Sequence, residues 1–292
     1  MNHSDNLKKG EKGAWISIFA YLFLAITKLI IAYTGNSEAL RADGLNNATD
    51  VIASIAILVG LKISRKPPDE DHHYGHYRAE TIASLLAAFI MISIGLQVII
   101  DTFQKIFEQQ HTEPSMLTAW VALGAAFVMF FVYRYNLSLS RKINSSAIYA
   151  ASQDNRSDAL VSIGAFIGIV GAQLGLYWLD PLAGFLVGII ICKTAWEIFK
   201  DSTHTLTDGF DEKQIMKIKK SIAKTPQVKK VEDVKGRIHG NQQFIEVTIL
   251  VDPLLNVKES HDITVSIEDL LAEKHGITYA HIHIEPYKDE VK

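Results

Sequence analysis

Stretches of apolar residues long enough to cross a hydrocarbon layer recur at residues 15–33, 39–63, 81–106, 117–135, 148–174 and 178–198. A membrane-spanning helix needs about 20 such residues, so the pattern predicts six transmembrane helices. In lipid only a helix or a closed barrel satisfies its own backbone, and runs of this length fit helices. The second and fifth stretches are the weakest by hydropathy, because each carries acidic and amide residues near its first half. They are retained because those polar residues share a spacing.

The flanking charges give an orientation. Lys8, Lys9 and Lys12 precede the first span, Lys62, Arg65, Lys66 and Arg78 flank the second connection, and Arg134, Arg141 and Lys142 flank the fourth. The other connections are poor in Lys and Arg, with Lys105 the main exception, so both termini are expected in the cytosol. Residues 1–12 are polar and run into a full-length apolar segment without a small-residue cleavage signal, so the first span is expected to stay in the mature chain. With no organelle signal, a multi-pass plasma-membrane protein of bacterial type is expected.

Composition removes other classes. A formal net charge of −3 lacks the basic surplus of a nucleic-acid binder. The single cysteine, Cys192, lies in an apolar run and reads as a small helix-packing residue, with no disulfide or paired-cysteine metal motif available.

From about Asp208 the composition becomes that of a small soluble domain. Residues 211–224 and 259–274 have helical periodicity, while 228–238, 242–251 and 277–285 read as strands, the first two joined at Gly240-Asn241. The expected fold is a polytopic six-helix transmembrane domain over residues 1–207 and a cytosolic α+β domain, αββαβ and ferredoxin-like, over residues 208–292.

In the second span Asn46 and Asp50 are four residues apart, one turn apart on one helix face, and Asp154 and Asp158 repeat that geometry in the fifth. Carboxylates at membrane depth are costly, so they should face a bundle interior and bind a cation or protons, unless they lie in the headgroups or cap helices. All eleven histidines fall outside the predicted spans. Oxygen donors without imidazole suit hard ions such as Mn2+, Mg2+ or Ca2+, whereas Zn2+ commonly takes nitrogen or sulfur. Three aspartates around a dication leave surplus negative charge, so protons should replace the metal when it leaves. Arg156 points to another face, Lys28 reads as a snorkelling residue, and Asp43, one turn beyond Asn46, reads as a packing or entry residue.

The run from Gly35 to Asp50, the Asp154-xxx-Asp158 pair, six spans and an αββαβ tail together resemble the cation diffusion facilitator family over nearly the whole chain. The resemblance implies a proton-coupled antiporter that binds metal between the second and fifth spans and works as a homodimer. Zinc-transporting members typically place a histidine in the tetrad, and an Asn-Asp-Asp-Asp set is similar to the manganese branch, so Mn2+ is the implied cargo, with protons as counter-ion and no organic cofactor.

Three further sets follow from the resemblance. Asp69, His72 and His76, in the connection after Pro67-Pro68, match a second cytosolic metal site, although such a loop taken alone is as often a solvated connector. Arg78 and Asp208 match a charge pair at the cytosolic mouth. In the tail, His281, His283 and Glu285 alternate with Ile282 and Ile284, placing three ligand types on one strand face. With His261 from the preceding helix, His283 and Glu285 resemble a regulatory metal site, departing from the zinc pattern at Glu232 and Thr248; a metal-free polar face is the alternative.

Alternating access between two packings of the bundle is the expected mechanism. Within the family the cargo alternatives are zinc, iron, cobalt and cadmium. A membrane-anchored metal sensor without transport is a rival of another class, and an intramembrane metalloenzyme lacks any HExxH motif within a span.

Overall fold

The computed structural model describes residues 3–35, 38–107, 115–176, 178–240 and 242–288. Two compact units divide it, residues 1–202 and 203–292.

Among the described residues the first unit is built from six long helices: α1 (His3–Gly35), α2 (Glu38–Ser64), α3 (Arg78–Phe107), α4 (Met116–Ile143), α5 (Ser146–Gln173) and α6 (Leu179–Leu206), the last of which runs on past the boundary between the units. Four of them contain segments long and apolar enough to cross a membrane, namely Lys8–Thr34, Asp43–Ser64, Arg78–Gln104 and Met116–Ile143. α5 and α6 also have the length, and Asp154, Arg156 and Asp158 interrupt the apolar run of α5. Among the described residues, four of the six expected spans are met on length and apolarity together.

The distribution of side chains is the reverse of a soluble bundle. Phe19, Phe23 and Ile30 of α1 and Trp120, Phe127 and Phe131 of α4 are exposed, while the interior is lined by small residues such as Ala14, Ala88, Ala122, Ala147 and Ala150. Where lipid is the solvent, helix association is driven by close packing of small residues rather than by removal of apolar surface from water. Gly60 of α2 lies so close to Ala83 of α3 that no side chain would fit, and Cys192 of α6 packs against Gly95 of α3. Turn chemistry sets the α4–α5 junction. Asn144 closes α4 in the left-handed conformation at φ 51°, its N–H donating to the Ser140 carbonyl, and the Ser145 hydroxyl accepts from the Ile148 N–H at 3.2 Å.

The second unit contains α7 (Glu212–Ile222), β1 (Lys230–His239), β2 (Gln242–Val251), α8 (Val257–His275) and β3 (Tyr279–Pro286). Its sheet order is β1-β2-β3, with β1 antiparallel to β2 and β2 parallel to β3. A parallel pair needs a crossover, which α8 supplies. Ile218 and Ile222 of α7 and Ile263, Ile267 and Leu271 of α8 pack with Ile245, Val247 and Ile249 of β2. The αββαβ order agrees with the sequence, but a complete ferredoxin-like β-α-β-β-α-β motif has a further strand ahead of its first helix. Here α6 occupies that stretch of chain, and the sheet has three strands among the described residues.

Candidate metal centre

Asp50, Asp154 and Asp158 converge from α2 and α5, with one carboxylate oxygen of each lying within 4.8 Å of the others. All three are buried, at 0%, 6% and 3% relative exposure. Three ionised carboxylates this close and this dry repel one another strongly, so the group requires a cation or protons. Asn46 completes the set through its amide nitrogen, which donates to Asp50 Oδ2 at 3.1 Å and Asp158 Oδ1 at 3.3 Å. In this arrangement the amide nitrogen, not the carbonyl oxygen, meets the carboxylates.

Tyr21 of α1 is a member of the cluster that the spacing argument missed. Its hydroxyl lies 2.9 Å from Asp154 Oδ2, is hydrogen-bonded to Asp158 Oδ2, and accepts from Asn155 Nδ2 at 2.9 Å. A phenol has one hydrogen to donate, so bonding both carboxyls at once takes a proton from one of them. Behind Tyr21, Asn136 of α4 donates to Asn155 Oδ1 and to Ser17 Oγ, each at 2.9 Å, joining α1, α4 and α5 in one buried polar network.

Lys28 also differs from expectation. Lys28 is fully buried rather than snorkelling, and its ammonium pairs with Asp43 Oδ2 at 2.7 Å. A snorkelling side chain needs a route to the interface, whereas Lys28 is enclosed with acceptors at hand. The sequence signal was present: Ser17, Tyr21 and Lys28, spaced by 4 and 7, form one polar stripe along α1. Arg156 is exposed, and its nearest recorded partner is Gln153 at 3.5 Å.

A second group forms in the connection between α2 and α3. Asp69 Oδ1 accepts from the His72 backbone N–H at 2.8 Å and lies 3.1 Å from His72 Nδ1, and Asp69 Oδ2 lies 3.4 Å from His76 Nε2. The modest burial of the Asp69 carboxyl acts to raise its pKa, but the hydrogen bonds from His72 and the nearby His76 and His72 rings outweigh it and hold the group below the usual carboxylate value. Among the described residues His76 Nδ1 is buried without a hydrogen-bond partner.

In the tail, His281, His283 and Glu285 lie on the exposed face of β3, while Ile282 and Ile284 pack on the core. His283 Nε2 and Glu285 Oε1 are 3.4 Å apart. His261, on α8, does not join them in a group of metal-ligand atoms within 4.8 Å among the described residues. It projects from a helix packed on the opposite side of the sheet core from that exposed face, which separates it from the two strand residues. Glu232 sits at the β1 bulge between Val231 and Asp233, and Thr248 pairs across the strands with His283. Arg78 opens α3 and Asp208, at φ 60°, follows α6; the two belong to different units.

A model of the cation efflux transmembrane domain matches residues 14–207, and one of the cation efflux protein cytoplasmic domain matches residues 210–287. The chain is 53% identical over 290 residues to the manganese efflux system protein MneS of Bacillus subtilis (strain 168), covering 99% of this chain and 100% of that one. It is 31% identical over 296 residues to the manganese efflux system protein MneP of the same organism, covering 98% and 99%. Among solved structures, the copper form of the MamM C-terminal domain aligns at 24% identity and a TM-score of 0.26, covering 28% of this chain and 82% of that one.

Proposed function

The chain belongs to the cation efflux family, the cation diffusion facilitators, and from that premise we propose that it exports Mn2+ in exchange for protons through the Asn46, Asp50, Asp154 and Asp158 site. It is a metal cation efflux transporter and not an enzyme. The observation that carries the manganese assignment is a buried set of three carboxylates and an amide with no histidine or cysteine among its ligands. An all-oxygen donor set suits Mn2+, whereas Zn2+ is commonly held by some nitrogen or sulfur. The names of MneS and MneP, relatives along nearly the full length, support the same cargo.

In this proposal α5 and α6 are the fifth and sixth spans, residues 1–207 form the transmembrane domain, and residues 208–292 form the cytosolic tail. Both termini face the cytosol of a plasma membrane, in keeping with the Lys and Arg residues on the connections. Ion capture occurs from the cytosolic side by the deprotonated carboxyls, the bundle rocks, and protons arriving from outside release the ion. The Tyr21 hydroxyl, bonded to both α5 carboxyls with one hydrogen of its own, supports proton binding by these carboxyls in the exchange. Asp69, His72 and His76 hold a second cytosolic ion, and a homodimer brings tail residues His261, His283 and Glu285 together across protomers.

The test is metal uptake into proteoliposomes containing the purified chain under an imposed proton gradient. Mn2+ uptake is expected to outcompete Zn2+, to collapse with the gradient, and to be abolished by Asp50→Asn. Asn46→His is expected to shift preference toward Zn2+. Uptake of Zn2+, Fe2+, Co2+ or Cd2+ in preference to Mn2+ would overturn the cargo, and binding without uptake would support a sensor instead.

A further inference from the structure

Beside the carboxylate cluster lies a buried polar group that the transport scheme leaves unused. The Lys28 ammonium has three hydrogens to donate and no lone pair to accept with. It meets three acceptors: Asp43 Oδ2 at 2.7 Å, Asn47 Oδ1 at 2.7 Å and Ser162 Oγ at 3.1 Å. Ser162 donates in turn to the same Asp43 oxygen at 3.3 Å. α1, α2 and α5 are thereby tied together at one point, and the charges of Lys28 and Asp43 offset each other.

The consequence lies on the far side of Asn47. An ammonium can only donate, so the Asn47 oxygen is committed to Lys28 and the amide nitrogen must face away from it. That nitrogen lies 3.3 Å from Asp50 Oδ2. Asn46 Nδ2 reaches the same oxygen at 3.1 Å. Asp50 Oδ2 therefore takes two amide donors, while Asp50 Oδ1 is buried with no hydrogen-bond partner among the described residues.

We infer that Lys28 and Asn47 are positioning residues for the transport site: Lys28 fixes the Asn47 amide, the amide fixes the Asp50 carboxylate, and Asp50 Oδ1 is the atom left for the ion. The assignment rests on Asp50 being a ligand of the transported cation. Because Lys28 is paired with Asp43, its effect on the site is exerted through orientation more than through net charge. A ligand oxygen held by its neighbours needs less reorganisation on binding, and loss of such a partner typically weakens metal affinity about 10–100-fold.

The experiment is a Mn2+ binding titration on the purified full-length chain, with melting of the metal-free protein measured alongside. Four variants are compared with wild type: Asp50→Asn, Asn47→Leu, the charge-balanced pair Lys28→Met/Asp43→Leu, and the triple combination of the last two. Asn47→Leu and Lys28→Met/Asp43→Leu are each expected to weaken binding by about 10–100-fold. The triple variant is expected to be no weaker than the weaker of the two, since both break one chain of contacts. If Lys28→Met/Asp43→Leu stays within about twofold of wild type, or if the two losses multiply in the triple variant to within about twofold, Lys28 does not act through Asn47. Should the charge-balanced pair fail to fold, Asn47→Leu decides alone, and an unchanged affinity overturns the inference. A binding loss matched by a fall in metal-free melting temperature marks a merely structural role and overturns it too. Failure of the underlying reading is distinguishable, because Asp50→Asn would then leave wild-type affinity unchanged.

Discussion

One phenolic hydroxyl joins two of the three buried aspartates, and at the scale of single residues it is the contact with the most to lose. Tyr21→Phe keeps the ring and removes the group shared by Asp154 and Asp158. The two carboxyls would then face each other with no common partner, and Mn2+ transport is expected to fall by roughly 10-fold or more, while the protein still folds. Initial uptake rates in proteoliposomes measure this, and an unchanged rate would remove Tyr21 from the site. The four-residue spacings made Asn46, Asp50, Asp154 and Asp158 legible in the sequence, because a helix places such pairs on one face whatever surrounds it. Tyr21, Asn47 and Lys28 were not legible in the same way. Each needs knowledge of which helix stands opposite, and only the polar stripe of α1 hinted that Lys28 faces inward.

At the scale of elements, hydropathy located the helices but not their ends. The fourth apolar stretch stops at residue 135, yet α4 continues to Ile143, through Arg141 and Lys142, because Asn144 and not polarity terminates it. Hydropathy marks where lipid begins; capping marks where a helix stops. In the tail the alternation of β3 was readable, whereas the β1 bulge at Glu232 was not, since a bulge depends on pairing with the neighbouring strand. α8 begins with a reciprocal capping box: the Asn256 side chain accepts from the Glu259 N–H at 3.0 Å, and Glu259 Oε2 accepts from the Asn256 N–H at 3.1 Å. Asn256→Ala is expected to cost about 1 kcal/mol of tail stability, seen as a lowered melting temperature with transport little changed. A melting temperature equal to wild type would mean the box contributes nothing there.

For the whole molecule, the two clusters that can hold metal are told apart by substitution. Asp69 has a lowered pKa, so its contacts with His72 persist above its folded value and are lost as pH falls through that value, below the ordinary carboxylate range. In Asp50→Asn, with the membrane site disabled, residual Mn2+ binding is expected to vanish when His76→Ala is added. Binding that survives His76→Ala would exclude the loop as a metal site.

The amide of Asn46 has a consequence for turnover. With its nitrogen toward Asp50 and Asp158, it relieves the crowding of the two carboxyls. Rotated half a turn about its last bond, the same group would offer an oxygen to an arriving ion. An aspartate there would bring one more negative charge through every stage of the cycle, and an imidazole would bring a nitrogen ligand favoured by softer metals. In the proposed transport site, a neutral group with two opposite faces would let the pocket reverse its hydrogen-bonding sense on ion binding without altering its formal charge.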